Sequence, residues 1–542
     1  MRGLSVLLAL VILVPGVNAA WGSFHSDERN TGFQSGTAYK VYEDLWWNLK
    51  VDPATQMEAS PVHANGIVVV GGWDKVIRAL DATSGTERWK ATMGATIVGT
   101  PAIFGGRLFV VDSAGALKAF DLHKGTILGT AAVGATRADL KIHEGKIFIG
   151  NEAGEMKAYD TETLTLLWKF SVNSVAATNG TCGTKIPVGQ IRGSPAIYGG
   201  LVIFGSMNHW VYAINEQGEP GQTTLPQWIF KTNDIVVGSP MVDDDNERVI
   251  IGSYDEHVYS LPVAPGGMGP IYAADGIAVC SAAANSPSWT YEVPSAIGQS
   301  KVHSSPATDG INVYFGANNG RVYAITLSGG TLVWEYTTGG AVISSPAVSN
   351  SIVVVGSDDG KVYWLRSNNG TLHKSYIADS PIKSSPAIDG NRTFVTSFEG
   401  SVYMFGPKIP LRPDLQVGIV TYDDGVLSIV VDNRGSGDAG ASTLRLTIDG
   451  VVAGDIAVPA IQAGQSATVT HEVSLSKGGH VIIGEADQAK AVVESEEANN
   501  EGSSTVTVTG SSKGKGGSGI PGPGFALLAL ALVGLAMLRR RR

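Results

Sequence analysis

Ser345-Pro346-Ala347-Val348-Ser349-Asn350-Ser351-Ile352-Val353-Val354-Val355-Gly356-Ser357-Asp358-Asp359-Gly360-Lys361-Val362-Tyr363 is the stretch whose reading decides the fold. It opens on a hydroxyl residue and a proline, then turns. An apolar strand follows and ends at Gly356-Ser357. Asp358-Asp359-Gly360 turns the chain again into a further strand. The anchor recurs as Ser60-Pro61, Thr100-Pro101, Ser194-Pro195, Ser239-Pro240, Ser305-Pro306 and Ser385-Pro386, with a degenerate copy at Asp139-Leu140. The repeat length is ~40 residues, stretched where long loops intervene. Four short strands per ~40 residues is the period of a propeller blade. Eight anchors therefore predict eight blades. The Gly-His and Trp-Asp marks of one common propeller repeat are missing, and so is the longer period of another.

The last unit stops near Phe405, after three strands. Its outer strand is available in Asp44-Leu45-Trp46-Trp47-Asn48, so the N-terminal strand is expected to close the ring over residues 39–405. Trp89, Trp168, Trp228, Trp289 and Trp334 then fall on outer strands and pack between blades. Each inner strand starts near the axis. The residues two before each anchor's proline partner, namely Glu58, Val98, Arg137, Arg192, Val237, His303, Ile343 and Lys383, are thus expected to ring one mouth of the channel. Arg137, Arg192, His303 and Lys383 make that mouth a candidate site for an anion, because a narrow low-dielectric mouth focuses the field of its charges. The plain alternative is a set of solvated rim side chains.

These units resemble the pyrroloquinoline-quinone-type repeat, with those at Ser305 and Ser345 matching best. Trp21-Gly22-Ser23-Phe24-His25 to Asn30-Thr31-Gly32 is similar to the opening of that family. The resemblance implies an all-β, eight-bladed quinoprotein-type β-propeller. It also implies an acidic quinone near the axis and, in the family's dehydrogenases, calcium. Those enzymes carry adjacent cysteines over the quinone, whereas Cys182 and Cys280 are 98 positions apart. Neither a calcium set nor a hydrolase motif of the G-x-S-x-G or H-E-x-x-H kind is legible. His209 and His257 are expected in turns, without metal-ligand spacing, and Asp243-Asp244-Asp245-Asn246 in a hairpin turn.

After Pro410 and Pro413 the pattern changes to alternating strands, such as Leu427–Val431, Thr443–Ile448 and His480–Ile483. Residues 411–509 read as an immunoglobulin-like β-sandwich. Pro413-Asp414-Leu415, Asp432-Asn433-Arg434-Gly435 and Glu494-Ser495-Glu496-Glu497-Ala498-Asn499-Asn500 resemble a CARDB domain, a cell-adhesion-related module. The acidic run is expected to form a hairpin turn in preference to a calcium site.

The two ends read as addresses. Residues 1–19 form a signal peptide with cleavage after Ala19. Residues 510–524 are a Gly/Ser/Lys/Pro linker, and 525–542 an apolar run closed by Arg539–Arg542. Pro523-Gly524-Phe525 before that run resembles the PGF-CTERM sorting tail of archaeal surface proteins, which is cut and replaced by a lipid; a C-terminal membrane helix is the alternative. The expected location is the outer face of the cell membrane. Asn179, Asn369 and Asn391 head glycosylation sequons. Cys182 and Cys280 are the disulfide candidates: an oxidising compartment favours their pairing, but their loops leave from opposite faces.

Composition narrows the function. The 542 residues carry a net charge of −10, and five of the 39 basic residues are Arg2 and Arg539–Arg542, so the body is more acidic still. Such a body is a poor nucleic-acid binder. Charged residues make up only 16% and glycines number 69, a composition that favours many tight turns and β structure. The expected function is non-catalytic: a surface-anchored binding, scaffold or adhesion protein with a cell-surface protein or glycan partner and no resident cofactor. The alternative is a dehydrogenase that uses pyrroloquinoline quinone with calcium.

Overall fold

A hydroxyl or carboxylate beside each anchor proline is what allows neighbouring blades to join at the axis. In the computed structural model, Ser194 N–H donates to Ser239 Oγ at 2.8 Å and Ser239 N–H to Ser305 Oγ at 2.8 Å. Ser305 N–H donates to Ser345 Oγ, Ser345 N–H to Ser385 Oγ, and Ser385 N–H to Ser60 Oγ. Ser60 N–H then reaches Thr100 Oγ1 at 3.3 Å, and Thr100 N–H reaches Asp139 Oδ1 at 2.6 Å. The degenerate anchor is thus a working one, with a carboxylate in place of a hydroxyl. The Ser385 to Ser60 bond joins the last blade to the first.

The structure describes residues 21–34, 44–51, 55–172, 189–218, 226–264, 287–294, 300–349, 351–407, 412–435, 437–488, 490, 492, 494 and 500–508. No α-helix occurs among them, and no helix there is long and apolar enough to cross a membrane. Ala19, Asn179, Cys182, Cys280 and Pro523 to Phe525 lie outside the described residues. The chain divides into two compact units, with the division near Arg412 and Pro413.

The first unit contains eight sheets, here called blades 1 to 8 in anchor order, all antiparallel except that Phe33–Gln34 adds a parallel strand inside the inner strand of blade 7. Seven are built in chain order from the axis outward. Blade 7 shows the pattern: Ala347–Ser349 is the inner strand, then come Ile352–Gly356, Lys361–Arg366 and the outer Leu372–Ile377. In blade 8 the outer strand is Leu45–Lys50, paired antiparallel with Ser401–Phe405. The ring is therefore closed by non-consecutive chain, which leaves no odd strand at the seam.

The second strands are buried on both faces, whereas the outer strands are half-buried to exposed. Glycine ends the second strand because the next blade presses against it: a Cβ on Gly356 would lie 2.2 Å from Ile382 Cγ2. Tryptophan closes the outer layer. Trp334 Nε1–H donates to Ser367 O of blade 7 at 2.7 Å, and its ring covers Gly370, which has φ +69. Trp47, Trp89, Trp168, Trp228 and Trp289 make the same bond to a carbonyl of the following blade. The five tryptophans read as inter-blade staples are staples, and Trp47 is a sixth.

The expected propeller boundary at residue 39 omits a structural part. Trp21–Gln34 runs across the inner strands and visits blades 1 to 7 in order. Trp21 and His63 exchange backbone hydrogen bonds. The N–H groups of Ile103, Ile197, Val242, Thr308 and Val348 donate to the carbonyls of Gly22, Glu28, Arg29, Thr31 and Gly32. Each of these donors, like His63, is the second residue of its inner strand. Blade 3 uses a side chain in their place: buried Lys141 donates from Nζ to Phe24 O and Asp27 O, both at 2.7 Å. Burial pushes the Lys141 ammonium down to about 8. The segment satisfies inner-edge donors that the sheets leave open.

The second unit is a sandwich of two antiparallel sheets. One holds Leu415–Asp423, Val426–Asn433 and Ser466–Glu472; the other holds Val451–Val458, Ser442–Ile448, Gly478–Glu485 and Glu501–Val508. Leu427, Ile429 and Val431 alternate inward and meet Leu444, Leu446 and Ile482 in one core. Asn433 Oδ1 accepts Asp414 N–H, while the buried Glu494 carboxylate accepts Leu415 N–H and Asn500 Nδ2–H. The three motifs therefore meet at the start of the first strand. Residues 495–499 of the acidic run lie outside the described residues.

Two outcomes follow. Replacing Lys141 by Met leaves Phe24 O and Asp27 O without their donor. It should destabilise the propeller by about 1–3 kcal/mol, read by thermal melting, and should make Arg29 newly sensitive to trypsin. Limited proteolysis near 406–413 should release separately folded propeller and sandwich fragments, each with its own melting transition. A single shared transition, lost on cutting, would contradict the two-unit division.

Candidate functional site

All eight expected mouth residues line one cavity of about 330 Å³, together with the anchors Ser60, Thr100, Ser239, Ser305, Ser345 and Ser385. The inner strands radiate from the axis, so equivalent positions of successive repeats converge there. Two further residues were not legible as part of the site. Phe24, from the N-terminal segment, lies under the anchors with its ring stacked on His25 at 4.4 Å. Asp139 contributes a carboxyl to the wall. Phe24 could have been found only by knowing that its segment crosses the axis.

The four candidate side chains differ in how they are held. Arg137 Nε faces Glu152 Oε1 at 3.7 Å. Arg192 donates from Nε and Nη2 to Gln190 Oε1 at 3.0 and 2.7 Å, a neutral partner that orients the fork and leaves its charge in place. Lys383 Nζ sits 4.4 Å from the centre of the Phe398 ring. Among the described residues neither Arg192 nor Lys383 has a carboxylate within ion-pair distance. His303 Nδ1 and Tyr254 Oη are 2.6 Å apart. Burial, reinforced by Arg192 and Lys383, pushes the His303 imidazole down to about 4, so it is neutral at pH 7. Burial raises the Asp139 carboxyl to about 6, against the opposing bond from Thr100.

Other candidates fall elsewhere. His209 lies in a turn, whereas His257 begins the strand His257–Pro262 and is not itself a turn residue. Asp243–Asn246 turns between two strands, with Asn246 Nδ2–H donating to Asp243 Oδ2 at 2.7 Å. Asn369 is exposed in a turn, but its Oδ1 accepts bonds from Thr371. Asn391 is half-buried in a hairpin.

The chemistry of the donor set tests the implied quinone and calcium. The cations suit a polycarboxylate. The oxygen set that calcium requires is short here, since Glu58 and Asp139 are the carboxyls of the cavity wall among the described residues and Asp139 is committed to Thr100. Among the described residues, groups of three or more such ligands occur at His143, Glu144 and Glu216 and at Asp243, Asp244 and Asp245, and neither group lines the cavity. The residues present do not fit the quinone and calcium together.

A ring of repeat-built blades around an axial cavity defines a β-propeller protein of the quinoprotein architecture, here followed by an immunoglobulin-like domain. The family model described as outer membrane protein assembly factor BamB matches residues 43–246 and 318–409, more than half of the chain, and the chain belongs to that family. The CARDB model matches residues 413–504. No curated protein matches. Among solved structures, BamB from Moraxella catarrhalis is 15% identical with a TM-score of 0.51, over 67% of this chain and 99% of that one. A europium-containing methanol dehydrogenase is 13% identical with a TM-score of 0.57, over 71% and 98%. Quinohemoprotein alcohol dehydrogenase from Comamonas testosteroni is 14% identical with a TM-score of 0.55, over 76% and 83%. At these identities the likeness is one of fold. It spans both a protein named as an assembly factor and two named as enzymes.

Asp139 gives the cavity a pH dependence. Its raised value means that acidification through about 6 neutralises one wall carboxyl, while neutral His303 and the fixed arginines keep their states. Sulfate, whose charge is constant across this range, should bind severalfold more tightly at pH 5 than at pH 7, an interval in which Lys141, at about 8, stays largely protonated. Asp139→Asn keeps an acceptor for Thr100 and should abolish the difference, as read by calorimetry.

Proposed function

We propose that this is a non-catalytic binding and scaffold protein of the cell surface, with the propeller as its interaction platform and the axial mouth as the seat of a small polycarboxylate. The BamB-like repeat supports a protein-interaction role for the propeller. The CARDB domain supports an adhesion or spacer role for the sandwich. The observation that carries the ligand is the cavity itself: Arg192 and Lys383 line it with no carboxylate within ion-pair distance among the described residues, beside the buried ring of Phe24. An arginine fork held by a neutral amide is ready for a bidentate carboxylate.

The rest of the proposal rests on the sequence. The signal peptide ending at Ala19 and the tail from Phe525 support export and anchoring by a lipid or a membrane helix, and Asn369 and Asn391 would carry glycans. Partners are then a cell-surface protein or glycan, and not nucleic acid.

The second reading, a quinone-dependent dehydrogenase, is favoured by the fold of two structural neighbours and by the cations at the mouth. One set of experiments separates the two. Calorimetry with di- and tricarboxylates should show binding to the protein and its loss in the variant carrying Arg137→Ala, Arg192→Ala and Lys383→Ala. Equal or absent binding in both would sink the ligand. Turnover of an alcohol or sugar after reconstitution with quinone and calcium, followed with an artificial electron acceptor, would overturn the non-catalytic reading.

A further inference from the structure

A second group of chemistry-bearing side chains stands where blade 3 meets blade 4, apart from the axial cavity. His143 and Glu144 come from the hairpin between the first two strands of blade 3, Lys141–His143 and Lys146–Gly150. Glu216 follows the strand Trp210–Asn215 of blade 4. One ligand atom from each, an imidazole nitrogen and two carboxylate oxygens, lies within 4.8 Å of the other two.

Glu216 is the unusual member. Its position in the repeat supplies the carbonyl that accepts the tryptophan bond from the preceding blade: Glu216 O takes Trp168 Nε1–H at 2.9 Å. The equivalent acceptors Ala82, Leu122, Val263, Leu327 and Ser367 are apolar or small. Blade 4 instead buries a carboxylate there, with the side chain only 5% exposed. A buried charge is costly unless it is paired. Lys146 Nζ–H donates to one oxygen, Oε1, at 2.9 Å. The other, Oε2, accepts no hydrogen bond among the described residues and faces His143 Nε2 at 3.9 Å. That nitrogen is likewise without a hydrogen bond there, and Glu144 Oε1 stands 4.0 Å from it.

These separations are too long for hydrogen bonds and close to those of atoms that share one ion. At zinc–ligand lengths of about 2.0–2.2 Å, two ligands of a tetrahedral ion lie about 3.3–3.6 Å apart. His143 is half-buried and Glu144 exposed, so the group is open to an entering ion and its two blade 3 ligands can close on it. The nitrogen narrows the choice of ion. Calcium and magnesium take oxygen ligands, whereas imidazole suits zinc and its transition-metal neighbours. Lys146 occupies Oε1, so Glu216 offers Oε2 as a single ligand. We propose that His143, Glu144 and Glu216 bind a divalent transition-metal ion of the zinc class, with water in the fourth position, and that the ion ties blade 3 to blade 4.

The probe is zinc chloride, added to the purified full-length protein after it has been stripped with chelator and freed of any histidine tag. Calorimetry should show zinc bound at least about tenfold tighter than calcium, and zinc should raise the melting temperature. His143→Ala and Glu216→Gln should each weaken zinc by about tenfold or more and abolish the melting shift. Cobalt in place of zinc should give visible absorption in the parent and lose it in both variants. The double variant Asp244→Asn, Asp245→Asn, which alters the acidic turn of blade 5, should bind zinc as the parent does. Zinc no tighter than calcium, unchanged affinity in His143→Ala, or loss in the double variant alone would overturn the site. Binding without a melting shift would overturn the tie between blades. Melting in the absence of metal checks that each variant folds. Where Glu216→Gln does not, the exposed Glu144→Gln carries the test: weakened zinc supports the site and unchanged affinity overturns it.

Discussion

The propeller depends on one hydrogen bond repeated around its axis: an anchor N–H given to the hydroxyl or carboxylate of the next anchor. Seven links of this kind run from Ser194 through Ser60 to Asp139. They explain why the residue before proline is small and polar. Proline has no N–H of its own, so its predecessor is the last donor before the strand turns toward the axis. These donors are buried, and a buried backbone donor without an acceptor would cost more than a typical bond contributes. The sheets are thereby brought close enough for glycines such as Gly356 to meet the next blade and for Trp334 and its equivalents to lock the rim.

The same convergence creates a problem that the N-terminal segment resolves. Inner strands end at the axis with N–H groups that no ninth sheet can pair. Trp21–Gln34 supplies carbonyls to them one blade at a time, and blade 3 contributes Lys141 from its side chain. The result is a floor, with Phe24 under the anchors, where the ring alone would leave a channel. A floored cavity excludes water from one side and strengthens the field of its wall charges. The consequences are visible in the titrating groups: burial lowers His303 and raises Asp139 within one small volume.

Much of this was legible in the chain. A repeat exposes its own geometry, because equivalent positions of equivalent units must lie at equivalent radii. Counting back from each anchor therefore placed Glu58, Arg137, Arg192, His303 and Lys383 at one mouth, and all of them line the cavity. The outer strand Leu45–Lys50 was legible for the same reason, since the last unit lacked one. In the sandwich, the stretch Leu427–Val431 was legible as an alternating strand, and the structure puts Leu427, Ile429 and Val431 in the core. What the repeat did not predict lies where the chain departs from it. Trp21–Gln34 has no anchor and no strand period, so nothing in its sequence announces that it crosses seven blades. The expected start at residue 39 fell on the wrong side of it.

By itself, then, the sequence determined the strand period, the number of units, the closing strand and the radial position of each mouth residue. All of these follow from local pattern and from the symmetry that repetition imposes. Only the tertiary structure decided that Asp139 is an anchor acceptor as well as a wall carboxyl, and that Arg192 rests on a neutral amide while Arg137 faces an acid. Those outcomes depend on which side chains from distant blades share a few ångströms and on how much water is left between them. Neither quantity is a property of any one segment.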